Sequence, residues 1–356
     1  LAAALPAPTY AGLQTNYLGS LPTGFNNNNS TNKVDYNVND RNTLFVLFSH
    51  GHRTQSNSYR GAGNSLPLPY ADTRLVDEVP TTAQIRHTFV ASPTLINQVS
   101  YGFSRLWVPI TNATIDGDWM NKAGVKGLPA GEAASSFPEV AFGGPNAVTG
   151  WRGTNSRAFT EALNNFTFQD NVQWTSGKHA VTVGVQIQWL QANERTNAYG
   201  SLATWNFSNT QTAGFDGRGT LQSSTGNSYA SYLLGAVNGA GVTEDSGVGT
   251  GARYGTYAWW VQDNFKVNSK LTLNLGLRHD IMLPYKEVLD RVSFFNPSAP
   301  NPAAGGIPGI LQFMGDGPNS CHCRTTIKTQ YKNFGPRIGL NYALDAKTVE
   351  IGRAHV

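Results

Sequence analysis

The chain has 356 residues, 26 Lys+Arg against 22 Asp+Glu, and a formal net charge of +4. Charged residues make up 13%, roughly half the share of an ordinary soluble domain, while 40% are hydrophobic and 11% aromatic. These values exclude a disordered tail, which needs high net charge and few aromatics. They also exclude a disulfide scaffold, since there are two cysteines, and a nucleic-acid binder, since no Lys/Arg cluster is present.

Taken in chain order, the segments repeat every two residues. Val34, Tyr36 and Val38 alternate with Asp35, Asn37 and Asn39. Val99, Tyr101 and Phe103 alternate with Ser100, Gly102 and Ser104. Phe166, Phe168, Val172 and Trp174 share one face, with Asp170 as the exception. Val181, Val183, Val185, Ile187 and Trp189 share another, and Leu271, Leu273, Leu275 and Leu277 a third. Ile338, Leu340 and Tyr342 close the series. Successive strand side chains point to opposite faces, so each segment is apolar on one side and polar on the other.

The connections alternate in length. Short ones, rich in turn-forming residues, fall at 39–42, 91–94, 175–178, 267–270 and 345–348. Long Gly/Pro/Asn/Ser-rich ones cover 50–82, 109–162, 191–252 and 284–334. Long loops on one rim with short turns on the other are the layout of outer-membrane barrels. The segments reach about 9–12 residues, enough for a tilted strand to cross a bilayer, and aromatics such as Trp107, Trp174, Trp189 and Trp260 gather near their ends as an interfacial belt would. The expected fold is therefore all-β, an antiparallel up-and-down transmembrane β-barrel present in part, with about nine or ten strands. A soluble sandwich is the competing reading.

The longest fairly apolar stretch, 229–242, is shorter than the ~20 residues of a membrane-spanning helix, and no signal-peptide pattern stands at the start. The expected organisation is a partial barrel domain over 1–349, without plug or signal peptide, followed by a non-native tail over 350–356.

Tyr257-Ala258-Trp259-Trp260-Val261-Gln262-Asp263-Asn264-Phe265-Lys266-Val267, continued by Leu271-Thr272-Leu273-Asn274-Leu275-Gly276-Leu277-Arg278, resembles a characteristic stretch of TonB-dependent outer-membrane receptors. Asn333-Phe334-Gly335-Pro336-Arg337-Ile338-Gly339, Asp170-Asn171-Val172-Gln173-Trp174 and Asn97-Gln98-Val99-Ser100-Tyr101-Gly102 fit the same family, and the Oar-like subgroup is the most similar. The resemblance implies a barrel of about 22 strands closed by an N-terminal plug. It implies a cell outer membrane location and an active transporter that binds a scarce, bulky solute in extracellular loops. The TonB–ExbB–ExbD energy complex would act through an N-terminal part not seen here. The implied partners are outer-membrane lipid and an unknown solute, with no nucleic acid and no cofactor. Two other readings compete: a surface adhesin anchored by a barrel, and a soluble secreted polysaccharide-binding β-sandwich.

No catalytic or metal-binding residue is assigned. Cys321-His322-Cys323 is the one compact thiol/imidazole cluster; the cysteines can close a local disulfide or stay reduced, and the spacing is too short for an ordinary zinc site. His50 and His52 share a face at a strand end. Asp116 with Asp118, and Glu287 with Asp290, read as loop carboxylates. The glycine run 247–251 lacks the lysine and helix of a phosphate loop. Trp119, Trp151 and Trp205, in the long loops, are the candidate ligand contacts, because an exposed ring stacks on sugars and flat ligands.

Overall fold

The computed structural model describes residues 1–2, 5–12, 16–20, 23–58, 66–71, 73–128, 135–151, 159–196, 203–242, 249–345 and 347–355. Its strands are β1 (Gly24–Asn39), β2 (Asn42–Ser58), β3 (Thr73–Ser92), β4 (Leu95–Asn112), β5 (Glu139–Gly143), β6 (Phe159–Ser176), β7 (His179–Thr196) and β8 (Thr204–Ser208). They continue with β9 (Gly239–Gly241), β10 (Thr250–Lys266), β11 (Leu271–Glu287), β12 (Ser293–Pro300), β13 (Pro308–Phe313), β14 (Gln330–Ala343) and β15 (Val349–His355). Ten of these form one antiparallel sheet in the order β1-β2-β3-β4-β6-β7-β10-β11-β14-β15. The sheet is open, with β1 and β15 as its edges. No helix among the described residues is long and apolar enough to cross a membrane, which says nothing of strands.

The short connections are built as expected. Asn39 Oδ1 accepts the Arg41 N–H at 3.0 Å, and Gly177 adopts the left-handed φ of 57° that the β6–β7 turn needs. Asn268 Oδ1 accepts the N–H groups of Lys270 and Leu271, both at 2.9 Å. Asp345 Oδ1 accepts those of Lys347 and Thr348 at 2.7 and 2.9 Å, and the Lys347 N–H in particular lowers the carboxyl pKa of Asp345 from its ordinary value.

The strands outrun the sequence expectation. β14 has 14 residues and β3 has 20, so parts of the expected loops 50–82 and 109–162 are strand. Alternation in hydrophobicity stops where lipid stops. The backbone ladder continues beyond it, because each neighbour still satisfies N–H and C=O groups.

Register assigns the two faces. Val34, Val46, Ile85, Tyr101, Phe168, Ile187, Tyr257 and Ile281 stand directly opposite one another across eight strands. One step along each strand, Gln84, Gly102, Thr167, Gln188 and Thr256 occupy the other face. Among the described residues no second layer covers the apolar side: Val183 is 48% exposed, Leu275 41% and Ile338 58%. A sandwich would have sealed them. Two polar pairs interrupt this face. Asn97 donates to Asp170 at 2.6 Å, which accounts for the one exception in the β6 pattern, and His179 meets Asp263 at 2.7 Å.

β15 runs against this polarity. Glu350 and Gly352 stand opposite Tyr342 and Leu340 on the apolar face, while Val349 and Ile351 join Ala343 and Asn341 on the polar one.

Candidate functional site

The long connections fold together at the outer rim. Tyr70, Phe137, Val140, Trp151 and Phe207 form a buried cluster, drawn from the β2–β3, β4–β6 and β7–β10 connections. The ring of Phe137 meets Tyr70 at 5.1 Å and Trp119 at 5.3 Å, both edge-on. Trp151 meets Phe142 at 5.5 Å and Tyr232 at 5.1 Å. Such edge-to-face pairs add about 0.5–1.5 kcal/mol each beyond area burial. β5 and β8, from different connections, pair in parallel, and β9 adds to β8. Helix α1 (Trp119–Lys122) carries the first tryptophan. Helix α2 (Ser228–Leu233) brings Tyr229 and Tyr232 onto the cluster. Asn227 caps it, its Oδ1 accepting the N–H groups of Tyr229 and Ala230 at 2.8 and 3.2 Å. Burial pushes the Tyr232 hydroxyl pKa up.

The structure brings Trp119, Trp151 and Trp205 together. Trp151 is 2% exposed and belongs to the core, while Trp119 and Trp205 are half-buried and pack against it. The Lys122 ammonium lies 5.3 Å from the Trp119 ring centroid.

A second feature is the polar wall. Gln98, Asn171, Gly184, Trp260, Arg278 and Gly335 stand opposite one another on β4, β6, β7, β10, β11 and β14. The Arg278 guanidinium sits 5.1 Å from the Trp260 ring centroid. Its Nε and Nη2 grip Asp280 at 2.9–3.0 Å and Nη2 reaches Gln186 at 3.3 Å. Trp260 lies over Gly184, where a Cβ would collide with the indole. Higher on the same face, Leu106, Leu163, Leu190 and Tyr254 line a recess of about 530 Å³.

The remaining sequence candidates separate. Cys321 and Cys323 are bonded to each other. His50 and His52 do share a face; His50 Nδ1 is 3.0 Å from Thr81 Oγ1 and His52 pairs with Asp77. Asp116 and Asp118 both occupy left-handed turn positions. Asp290 pairs with Arg324 at 3.0 Å, while Glu287 pairs with Arg291 at 3.2 Å. Glycines 249 and 251 precede and open β10, and the rest of that run, 247–248, lies outside the described residues. Among the described residues no three His, Cys, Asp or Glu side chains converge as metal ligands. What converges is rings and amides, groups that bind by stacking and hydrogen bonding. Sequence reasoning missed the Arg278–Trp260 stack. Its signal, Arg278 and Trp260 on the polar side of two adjoining strands, becomes legible only once the register is known.

The sequence profile of the outer membrane β-barrel domain family matches residues 1–350. The chain belongs to this family. An outer membrane β-barrel domain explains why the leucine face lies bare, since lipid is its solvent, and it places the chain in the bacterial outer membrane. No curated protein matches the chain in sequence. Among solved structures, it is similar to FpvA of P. aeruginosa bound to pyoverdine, with 11% identity, TM-score 0.48, and 93% of this chain aligned to 35% of that one. The open form of the ferric-catecholate import receptor Fiu from E. coli aligns with 11% identity and TM-score 0.47, over 95% of this chain and 47% of that one. The ferric citrate transporter FecA aligns with 9% identity and TM-score 0.42, over 94% and 36%. The chain spans roughly a third to a half of the length of these proteins.

Proposed function

We propose that this barrel domain is the wall of a TonB-dependent transporter of the Oar-like kind, which binds a scarce, bulky solute at its outer rim and imports it with energy from the TonB–ExbB–ExbD complex. The observation that carries the reading is the convergence of three long connections into one aromatic-cored cap at the outer rim of a transmembrane sheet, above a wall of amides. A folded aromatic cap at the mouth of a polar wall favours capture of a solute over simple anchoring. Trp119 and Trp205, half-buried at the edge of the cap, offer the solute ring faces, and the buried cluster that contains Trp151 backs them. Amide side chains such as Gln186 and Gln188 offer hydrogen bonds below. The wall supplies binding and passage and no covalent chemistry.

The test is uptake by intact cells producing the protein from its whole gene, screened with radiolabelled ferric chelates, cobalamin, oligosaccharides and peptides. One solute is expected to accumulate, and accumulation should stop when either this gene or the cell's TonB is deleted. Accumulation that survives loss of TonB overturns the energised reading. Surface binding without any uptake converts it to the adhesin.

A further inference from the structure

The outward face carries a cross-strand row of a different character. Arg105 on β4 stands opposite Asn164 on β6, Asn164 opposite Gln191 on β7, Gln191 opposite Arg253 on β10, and Arg253 opposite Lys286 on β11. Directly opposed residues share a face, and this row lies on the same side as the apolar rows. The next row toward the turns on this face is Phe103, Phe166, Trp189, Gly255 and Leu283, a bulge after Leu283 bringing Lys286 opposite Arg253, and the row after that is Tyr101, Phe168, Ile187, Tyr257 and Ile281. The row is thus the upper border of the lipid-facing band. Arg105 lies ten residues beyond Leu95, where β4 begins, and Arg253 thirteen before Lys266, where β10 ends. A tilted strand crosses the hydrocarbon in about 9–11 residues, so both guanidinium groups reach headgroup level on the outer side.

The row has three cations. No carboxylate occupies it, the row below, or the row above it formed by Trp107, Ala162, Asn193 and Gly251. The amides link it sideways: an Arg105 Nη1–H donates to Asn164 Oδ1 at 3.1 Å, and Asn164 Nδ2–H donates to Gln191 Oε1 at 3.3 Å. Arg253 and Lys286 face each other directly, an arrangement that destabilises a ladder unless an anion sits between like charges. Guanidinium groups take phosphate oxygens two at a time.

We propose that this row, centred on Arg105, Arg253 and Lys286, is a docking site for the phosphate of an outer-leaflet lipid headgroup, with Phe103, Phe166 and Trp189 below it against the lipid's acyl chains. Charge and position together select that occupant. A soluble anion would satisfy the cations and leave the aromatic row unused. The site lies on the outside of the sheet and does not depend on the transport reading.

The test uses the protein made from its whole gene and purified from outer membranes. Native mass spectrometry counts bound lipid after titration with bis-phosphorylated lipid A, with the same lipid after enzymatic dephosphorylation, and with inorganic phosphate as competitor. The wild type is expected to retain the phosphorylated lipid, to bind the dephosphorylated one at least ten-fold more weakly, and to resist competition by millimolar phosphate. The double variant Arg105→Gln, Arg253→Gln should lose the preference. Arg86→Gln, on the polar face of β3, should keep it and so control for folding. Equal retention of both lipids, an unchanged double variant, or displacement by free phosphate overturns the proposal. Should the double variant fail to fold, Lys286→Gln alone, at the exposed end of the row, is expected to weaken retention several-fold; no change in it counts against the site.

Discussion

Glu287 Oε1 accepts the backbone N–H of Gly251 at 2.9 Å, across 36 residues of sequence. The carboxylate is fully buried at the outer end of β11, well past the residues that cross the bilayer. Its other oxygen accepts the N–H groups of Leu289 and Arg291 at 2.9 and 3.0 Å. The Arg291 guanidinium bridges from Glu287 Oε1 at 3.2 Å to the Gly249 carbonyl. One side chain thus ties the start of β10 to the connection after β11. Burial alone would raise its pKa, but the hydrogen bonds from Arg291, Gly251 and Leu289 outweigh it and bring the pKa from 4.5 down to about 2. A depressed carboxyl pKa stabilises the fold above the unfolded value. The clamp is therefore expected to be intact above pH 4.5, to weaken as pH falls below it, and to be gone below about 2. Hydrogen exchange at the amides of Gly251, Leu289 and Arg291 across that window measures it. Glu287→Ala leaves buried donors unmet, a loss of about 1–3 kcal/mol per group, and should speed exchange at those amides even at pH 7.

Trp151 is the keystone of the cap. Removing a buried aromatic side chain costs about 3–5 kcal/mol. Trp151→Ala is expected to melt the cap while the ten-stranded sheet persists. Limited proteolysis should then cut within 119–151 and 203–232, with the strand circular dichroism unchanged. Loss of the sheet together with the cap would show that the two fold as one unit.

The identity of each face is open to charge substitution. Leu277→Arg puts a cation into hydrocarbon near mid-bilayer, which costs about 2–4 kcal/mol. Asn274→Arg puts the same side chain on the polar wall, and is expected to be tolerated. Denaturant midpoints in lipid vesicles distinguish them. Equal effects would mean that the leucine face does not meet lipid.

Gly184 is required by Trp260. Gly184→Val would drive the indole off the wall, with the overpacking penalty of about 1–3 kcal/mol, and would break its stack with Arg278. A red shift in tryptophan emission and a lower denaturation midpoint are the expected readouts.

Residues 350–356 place Glu350 on the apolar face. If they are not native to the barrel, deleting them should leave expression and the denaturation midpoint of the protein within error. A fall in either would make β15 a working strand.

The strands were legible from composition and period alone because a membrane strand advertises itself twice, in alternation along the chain and in the turn chemistry of Asn39, Gly177, Asn268 and Asp345. The cap was not. Phe137, Trp151 and Phe207 sit in stretches with no period, since a core assembled from three separate connections obeys no local repeat. The buried role of Glu287 was equally hidden. Its neighbours in sequence mark it as a loop carboxylate, and its hydrogen-bond donors come partly from another strand.

By itself, then, the order of residues determined which side of each strand is greasy, where the tight turns fall and what solvent the outer face requires, because those depend on neighbours one to four places away. Tertiary structure alone decided which strands stand side by side. With that came the line of Arg105, Asn164, Gln191, Arg253 and Lys286, the stacking of Arg278 on Trp260, and the gathering of Trp119, Trp151 and Trp205. Each of these joins residues tens to hundreds of positions apart, and only the ladder's register carries that information.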